Sequence, residues 1–206
     1  MDKKALQAAK SQLIMISQRG YHRGLTAGTG GNISLRMKGS DIVLIQASGS
    51  AWIDARESNI LAVDLDGKVV DGEGIPSKEV KWHCGLFRLR EGAGAVVHSH
   101  SPAATAFAVV GKEVDLVSAT AYKALKRVPV VGFAPPGSDE LSELVLGAFA
   151  KEPIRALLLQ NHGVVTVGKD VYEAMYIAEV VEDTAKMALW ARQLGEPLRY
   201  SFPGWP

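Results

Sequence analysis

Short apolar runs separated by tight turns recur along the chain, and this pattern limits the fold more than any other feature. Residues 33–37 alternate between apolar and polar side chains, which predicts a strand with one buried face. A turn at residues 38–40 follows, and residues 42–45 form a candidate return strand. Asp66-Gly67, between two further apolar runs, is a strong hairpin signal. Repeated hairpins predict a largely antiparallel sheet.

Segments with helical spacing lie between and beyond these strands. Residues 4–19 carry apolar side chains at helical intervals, and Gly20 is predicted to end that helix. Further helices are predicted over residues 76–90 and 171–194, and Asp54 with Glu57 matches a capping box that would start a short helical turn. No linker or repeat interrupts the 206 residues, so we expect a single α/β domain over 1–206 with helices covering the sheet.

Composition and charge exclude several functional classes. The chain is 47% hydrophobic, enough for a substantial core, and its formal net charge of +1 includes no like-charge block. A nucleic-acid partner or a membrane-surface role is therefore not expected. The single cysteine, Cys84, cannot form an intramolecular disulfide. Without a signal peptide or a membrane-spanning apolar stretch, the expected location is the cytoplasm.

The motif His98-Ser99-His100 is the first candidate site. It follows the apolar residues 95–97, and side chains alternate along a strand, so His98 and His100 are predicted to point to the same face. Two imidazoles at this spacing can share a metal ion, although the motif alone is equally consistent with ordinary polar histidines at a strand end. The cupin pattern is not met, because residues 101–105 contain no glutamate.

A third histidine strengthens the metal hypothesis. His162 lies in the sharp bend Asn161-His162-Gly163 between two apolar runs, where functional side chains often lie. Three neutral imidazoles with an open fourth position are typical of a catalytic zinc site. His83, inside a predicted helix, and His22, in a polar turn, are expected to be structural or surface residues.

Glu79 is the most informative single carboxylate. It is predicted to lie in the first turn of a helix that begins at Pro76-Ser77. A carboxylate at this position can simply stabilise the helix N-terminus. Beside a metal ion, the same group is a candidate general base.

Several turns could bind an anion. The run Gly28–Asn32 precedes a strand, so it is neither a Rossmann fingerprint nor a P-loop, but it can form a nest of backbone N–H groups for a phosphate. Ser48-Gly49 and Ser77 offer further donors. Taken singly, each is equally consistent with an ordinary turn or cap.

Together these motifs resemble the class II aldolase and adducin family, especially its fuculose-1-phosphate aldolase-like members. The matching stretches follow the family's order across most of the chain and comprise Gly28-Thr29-Gly30-Gly31-Asn32-Ile33-Ser34, Ser48-Gly49, Pro76-Ser77-Lys78-Glu79, residues 95–100, residues 137–141 and Gln160-Asn161-His162-Gly163. The ordered set is specific, whereas no single member is.

The resemblance implies a fold and a site. The implied fold is an α/β/α sandwich around a central, mainly antiparallel sheet. His98, His100 and His162 would bind one zinc ion per subunit, and Glu79 would be the catalytic acid–base and also touch the metal when substrate is absent. The implied substrate phosphate site comprises Gly31, Asn32, Ser48, Gly49, Ser77 and Lys78. Family members are commonly homotetramers with active sites at subunit interfaces.

The implied reaction is the reversible cleavage of a ketose 1-phosphate to dihydroxyacetone phosphate and an aldehyde through a metal-stabilised enediolate. A decarboxylase, dehydratase or epimerase of a related sugar phosphate would use the same zinc site. Glu79 is compatible with the aldolases, whereas the pentulose-phosphate epimerases are associated with an aspartate there. A non-catalytic, adducin-like interaction module is a further alternative.

The sequence departs from the family pattern at two positions. Lys78 stands where the family often has a second serine in its phosphate site. A lysine there can pair with the phosphate as a point charge, and it is equally consistent with a different substrate. The family's proton-donor tyrosine would fall near Ala119, and Tyr122 is the nearest candidate for that role. The aromatic tail, residues 200–206, is a candidate contact with a neighbouring subunit.

Overall fold

An eight-stranded sheet forms the centre of the structure, a computed structural model that describes residues 2–196. Its strands lie in the order β4-β3-β2-β1-β5-β8-β7-β6, and all neighbours are antiparallel except β6 and β7. The strands are β1 (Asn32–Arg36), β2 (Val43–Gln46), β3 (Ile60–Val63), β4 (Val69–Asp71), β5 (Ala95–Ser99), β6 (Val130–Val131), β7 (Ala156–Leu159) and β8 (Gly163–Gly168).

Helices cover both faces of this sheet. They are α1 (Lys3–His22), α2 (Val80–Leu89), α3 (Pro102–Val109), α4 (Ala119–Leu125), α5 (Asp139–Lys151) and α6 (Val171–Leu194). Buried side chains of α2 and α5 form a core with one face, and those of α1, α3, α4 and α6 form two cores with the other. The predicted α/β/α sandwich with a mainly antiparallel sheet is confirmed.

Alternation along β5 determines which face carries the histidines. Val96 packs in the core beneath α2 and α5, whereas Ala95 and Val97 pack in the core beneath α1 and α6. Because strand side chains alternate, His98 falls on the α2 side of the sheet.

The neighbouring strand β1 brings polar side chains to the same face. Ile33 and Leu35 pack beneath α1 and α6, as the predicted alternation requires, so Asn32 and Ser34 point towards α2. In the β1–β5 pairing, Asn32 is the register partner of His98. The strand order thus places Asn32 beside the first histidine.

The predicted end of α1 at Gly20 is wrong, because the helix continues to His22. Gly20 is buried, and a Cβ atom there would lie only 2.4 Å from Cζ3 of Trp52. The residue therefore allows α1 to pack closely against Trp52 within the helix, and it does not terminate it.

The predicted capping box of Asp54 and Glu57 is also wrong. A short 3₁₀ turn begins at Glu57, and the Arg56 N–H donates to Oδ1 of Asn59 over 2.9 Å. Asp54 contributes only its backbone carbonyl, which accepts from Nδ2 of Asn59. The Asn59 side-chain amide thus makes the backbone hydrogen bonds that the Asp54 and Glu57 carboxylates were predicted to make.

Other predicted boundaries differ more modestly. Asp66-Gly67 does form a turn, but only Gly67 has a positive φ (82°), and Oδ1 of Asp64 accepts the N–H groups of Asp66 and Lys68. Helix α2 starts at Val80, so Glu79 immediately precedes the helix. The sequence did not indicate α4, whose short span gives little periodic signal.

Three further predictions concern membrane-spanning segments, the single cysteine and the C-terminal tail. Among residues 2–196, no helix is both long and apolar enough to cross a membrane. The Cys84 thiol is buried, and burial raises its pKa to about 11, which agrees with an inert structural thiol. The predicted tail contact at residues 200–206 lies outside the described residues.

Candidate metal and active site

Three histidine rings converge at the end of the central strands. His98 belongs to β5, His100 follows that strand directly, and His162 lies in the turn between β7 and β8. Nε2 of His98 lies 3.1 Å from Nε2 of His100 and 3.3 Å from Nε2 of His162. One nitrogen of each ring lies within 4.8 Å of the other two, so the three can bind one ion.

The turn geometry explains how His162 reaches the other two histidines. Strand β8 pairs with β5, with Val164 opposite Ser99. Asn161 adopts a left-handed conformation with φ of 55°, which asparagine tolerates better than most residues, and the His162 N–H donates to the Leu159 carbonyl over 3.1 Å. The tight turn therefore directs His162 over the end of β5.

Two glycines permit the close approach of the backbone at this site. A Cβ atom at Gly163 would lie 2.3 Å from the Ser99 carbonyl oxygen, and one at Gly31 would lie 2.4 Å from the His98 carbonyl oxygen. Gly31 also has a positive φ of 70°. A side chain at Gly163 would push β8 away from β5, and a side chain at Gly31 would push the start of β1 away from β5, the strand that carries His98.

The protonation states of the histidines favour metal binding. Burial is the main cause that lowers the pKa of His98 to about 3, and repulsion between the protonated forms of His98 and His100 lowers it further. Burial is also the main cause that lowers the pKa of His162 to about 4 and lowers that of His100. All three rings are therefore neutral at neutral pH, as metal coordination requires.

The hydrogen bond to His98 decides which of its nitrogens is free. Nδ1 lies 3.0 Å from the Val164 carbonyl oxygen, which can only accept, so Nδ1 carries the proton and donates. The Nε2 lone pair then faces the other two rings. A buried lone pair among neutral nitrogens fits a bound cation, so the site is chemically suited to a metal ion.

Glu79 completes this cluster. Its Oε2 lies 3.3 Å from Nε2 of His98, and its Oε1 lies 3.6 Å from Nε2 of His162. The carboxylate makes no capping hydrogen bond to α2, so the simple helix-cap interpretation does not describe its contacts. Nδ2 of Asn32 donates to Oε2 over 2.7 Å, while Oε1 is buried without a hydrogen-bond partner. Both carboxylate oxygens thus lie beside the histidines, and only Oε2 is also held by a hydrogen bond.

A cleft of about 240 Å³ opens beside the cluster. His100, His162 and Glu79 line it, together with backbone and hydroxyl donors and one lysine. The structure brings together in its wall all six residues of the predicted phosphate site, namely Gly31, Asn32, Ser48, Gly49, Ser77 and Lys78. Such a set of donors suits an anion.

A larger groove of about 1010 Å³ lies elsewhere, between α1 and the β1–β2 turn. Its wall combines Arg36, Lys38 and Lys169 with Asp41, Glu91 and Asp170, and it includes none of the three clustered histidines. Mixed charges give this groove no preference for an anion or a cation. The smaller cleft is therefore the better candidate site, because it joins a metal-binding cluster to anion donors.

Sequence reasoning missed the part played by His83. This histidine is fully buried, with Nε2 2.5 Å from Oδ1 of Asn32 and Nδ1 2.6 Å from Oγ of Ser34. Its structural character was expected, but its connection to Glu79 through Asn32 was not. The available signal was the four-residue spacing of Glu79 and His83, which would place both on one side of the helix predicted over residues 76–90.

Three other residues complete the comparison with the predictions. Gln46 was not predicted, yet it lines the cleft, and its Oε1 accepts the Ile33 N–H over 3.0 Å. Tyr122 lies half-buried on α4 and is not among the residues that line the cleft, so its role as proton donor stays a prediction. His22, at the end of α1, is exposed as expected.

The fold and the histidine cluster define an α/β protein with a candidate metal site at one end of its sheet. Residues 11–189 match the family described as Class II Aldolase and Adducin N-terminal domain. The match covers most of the chain, and this protein belongs to that family.

Relatives of similar length carry aldolase names. A protein named L-fuculose phosphate aldolase from Methanococcus maripaludis is 33% identical over 186 residues, which cover 90% of this chain and 98% of that protein. A protein named 5-deoxy-D-ribulose 1-phosphate aldolase from Bacillus thuringiensis serovar kurstaki is 31% identical over 192 residues, which cover 93% and 89% of the two chains.

Solved structures show the same similarity. A structure of an L-fuculose 1-phosphate aldolase is 33% identical, with a TM-score of 0.87 over 95% of this chain and 92% of that one. A structure of YgbL from Escherichia coli, described as an aldolase, epimerase or decarboxylase, is 29% identical with a TM-score of 0.85, over 96% and 95% of the two chains.

Proposed function

We propose that this protein is a zinc-dependent class II aldolase that reversibly cleaves a ketose 1-phosphate to dihydroxyacetone phosphate and an aldehyde. The observation that carries the proposal is the position of Glu79, whose Oε2 lies 3.3 Å from Nε2 of His98 at the edge of a cleft with anion donors. A carboxylate beside a metal site and an anion site is the arrangement that this reaction needs.

His98, His100 and His162 would hold the metal, and Glu79 would approach it when substrate is absent. Three neutral imidazoles and a carboxylate suit zinc better than magnesium or calcium, which prefer oxygen ligands. A zinc ion there supplies a Lewis acid for the substrate carbonyl.

Glu79 moves the proton. Its Oε2 is held by Asn32, whereas its Oε1 has no hydrogen-bond partner and faces the cluster. Oε1 is therefore the atom that takes the proton from the substrate carbon in synthesis and returns it in cleavage. Residue Glu79 is only 6% exposed as a whole, which limits competition from water.

The donors of the cleft would hold the phosphate end of the substrate. The cleft is lined by Gly31 and Gly49, which offer backbone N–H groups, by the hydroxyl residues Ser48 and Ser77, and by Lys78. Binding of the phosphate by these donors would hold the reacting carbon in place relative to Glu79. Holding the two reacting groups in position lowers the entropic part of the barrier and so raises the rate.

We extend the proposal to a homotetramer of single-domain subunits with active sites at the interfaces. Support comes from α6, whose surface includes partly exposed apolar side chains at Tyr172, Tyr176, Met187 and Trp190. A row of this kind on one helix is typical of a surface that another subunit covers. The proposed location is the cytoplasm.

A second candidate is a decarboxylase, dehydratase or epimerase of a related sugar phosphate on the same site. Lys78, exposed at the cleft in place of the family's serine, and the similarity to YgbL favour keeping this alternative. A non-catalytic adducin-like module fits less well, because this chain keeps the histidine cluster and the adjacent carboxylate.

The test is a product screen. Zinc-loaded protein is incubated with L-fuculose 1-phosphate and 5-deoxy-D-ribulose 1-phosphate, and dihydroxyacetone phosphate is followed by coupled NADH oxidation. Release of dihydroxyacetone phosphate by the wild type, and not by Glu79→Gln, supports the proposed aldolase activity. Mass spectrometry of a wider sugar-phosphate panel identifies the alternatives by loss of water, loss of carbon dioxide or an epimer of unchanged mass. No product from any substrate would contradict an enzymatic role.

A further inference from the structure

Four polar side chains form a continuous hydrogen-bonded chain beneath the cleft. Oγ of Ser34 lies 2.6 Å from Nδ1 of His83, Nε2 of His83 lies 2.5 Å from Oδ1 of Asn32, and Nδ2 of Asn32 lies 2.7 Å from Oε2 of Glu79. All four residues are less than 9% exposed. Buried polar contacts of this kind have few alternative partners, so their directions matter.

The donor and acceptor roles in this chain are fixed from the Glu79 end. A carboxylate only accepts, so Asn32 must present its NH₂ group to Glu79 and its carbonyl oxygen to His83. His83 must then donate from Nε2, because Oδ1 of Asn32 only accepts. Nδ1 of His83 is left without a proton, and the Ser34 hydroxyl donates to it.

The packing around His83 keeps its ring in this position. The His83 ring stacks on Trp82 with centroids 4.1 Å apart and an interplanar angle of 21°. Its backbone N–H donates to the Glu79 carbonyl at the start of α2. Burial lowers the pKa of His83 well below its ordinary value, so the ring is neutral and has one donor and one acceptor nitrogen.

We propose that His83 is a positioning residue that fixes the orientation of the Asn32 amide and, through it, the Glu79 carboxylate. Without the His83 donor, the amide can rotate and present Oδ1 to the carboxylate. The two oxygens would repel each other and displace Glu79 from the histidine cluster. The predicted effect on turnover depends on the proposed acid–base role of Glu79, whereas the hydrogen-bond directions do not.

Two substitutions at His83 distinguish loss of its hydrogen-bond donor from a change in the shape of its side chain. The amide nitrogen of His83→Gln reaches about as far as Nε2 of the imidazole, so this variant retains a donor to Asn32. His83→Phe keeps a ring against Trp82 but has no donor. Ser34→Ala removes the hydroxyl that donates to Nδ1 and changes little volume, so it tests whether Asn32 alone holds His83 in the Nε2–H form, even where the phenylalanine variant does not fold.

The direct readout is NMR of the zinc-loaded full chain. Long-range proton–nitrogen spectra of ¹⁵N-histidine should show His83 in the Nε2–H form, and Ser34→Ala should keep that form, because Oδ1 of Asn32 still requires a donor at Nε2. An Nδ1–H form in Ser34→Ala would show that Asn32 does not fix the tautomer of His83. The Asn32 side-chain amide resonances should shift in His83→Phe and stay close to wild type in His83→Gln. We expect kcat to fall about 10–100-fold in His83→Phe and to stay within about 3-fold in His83→Gln, with zinc content unchanged.

Each contrary result has a distinct meaning. An Nδ1–H form of His83 in the wild type would overturn the hydrogen-bonded chain, whatever reaction the protein catalyses. Equal losses of kcat in the Gln and Phe variants, or an Asn32 amide that does not respond to His83→Phe, would overturn the positioning role. If no sugar phosphate is turned over, the proposed aldolase fails, and the tautomer and amide spectra still decide the inference about His83.

Discussion

Oε2 of Glu79 lies 3.3 Å from Nε2 of His98, although the two residues are brought together from different elements. The histidine side chain is fully buried and the carboxylate side chain is 7% exposed. Placing a buried carboxylate against neutral imidazoles is unfavourable without a compensating charge. A bound divalent cation would supply that charge, so this pair links the candidate base to the candidate metal site.

Glu79→Gln should separate metal binding from catalysis. Asn32 can still donate to the new amide carbonyl, so the side chain stays in place and the three histidines keep zinc. Without a carboxylate to move the proton, kcat should fall by about 100-fold or more. Zinc content and kcat are measured on one preparation, with exposed Glu73→Gln as the matched control. Near-normal turnover in the Glu79 variant would remove this residue from the catalytic role.

Lys78→Met should weaken substrate binding more than turnover. Lys78 is the only Lys or Arg among the described residues that line the cleft. Loss of its ammonium group therefore removes the electrostatic attraction of a basic side chain for the substrate phosphate. We expect KM to rise about 10-fold, with kcat within a few-fold of wild type.

The matched control for this substitution is Lys81→Met, which removes an exposed lysine paired with Asp139 outside the cleft. Steady-state kinetics at low and moderate salt should show a weaker salt dependence only for the Lys78 variant, because screening acts on the charge that remains. Equal KM changes in both variants would contradict a phosphate contact at Lys78.

Acidification should destabilise the metal-free protein in a defined pH range. The folded-state pKa is about 3 for His98 and about 4 for His162, whereas an unfolded histidine has a pKa of about 6.5. The unfolded state therefore binds more protons below pH about 6.5, and the free energy of unfolding should fall from there towards pH about 4, by up to about 1.4 kcal/mol per pH unit per histidine.

Urea denaturation at several pH values with chelator present measures this slope. His98→Asn removes one of the titrating groups, so its stability should fall less steeply with acid than that of wild type, whatever its absolute stability. Identical slopes for the two proteins would show that His98 is not held neutral by the fold.

Gly163→Ala should disrupt the site through the backbone. The new methyl group would lie 2.3 Å from the Ser99 carbonyl oxygen, closer than a folded structure tolerates, so β5 and β8 must separate beside the histidines. We expect a loss of about 2–4 kcal/mol in the free energy of unfolding, together with weaker zinc binding. Gly92→Ala has no neighbouring atom within 4 Å of its Cβ and is the control. Unchanged stability of Gly163→Ala would refute the close approach.

The sequence predicted those parts of the site that depend on local periodicity. The common face of His98 and His100 follows from the two-residue repeat of a strand, and a turn residue such as His162 is expected at a sheet edge. Local patterns gave a wrong prediction where the role of a residue depends on a contact distant in sequence. Gly20 was predicted to end α1, but it lies inside the helix, where it packs closely against Trp52. The nearest sequence neighbours gave no sign of that contact.

The hydrogen-bonded partners of Glu79 depend on the order of the strands. Asn32 lies opposite His98 only because β1 pairs with β5, and His83 reaches Asn32 only because α2 packs on that face of the sheet. Residues 32, 79 and 83 carry no motif that specifies such long-range pairing. The sequence therefore indicated the candidate metal ligands and the candidate base, whereas the hydrogen-bonded partners of that base required the fold.

Zinc content, measured by inductively coupled plasma mass spectrometry, tests the central claim most directly. Wild type and His98→Ala are purified in parallel, offered zinc and desalted, with His22→Ala, which alters an exposed histidine outside the cluster, as the control. The account predicts near-stoichiometric zinc in wild type and in the His22 variant, and its loss in His98→Ala. Wild type that takes up no zinc, or His98→Ala that retains a full complement, would contradict the three-histidine site on which the proposed aldolase rests.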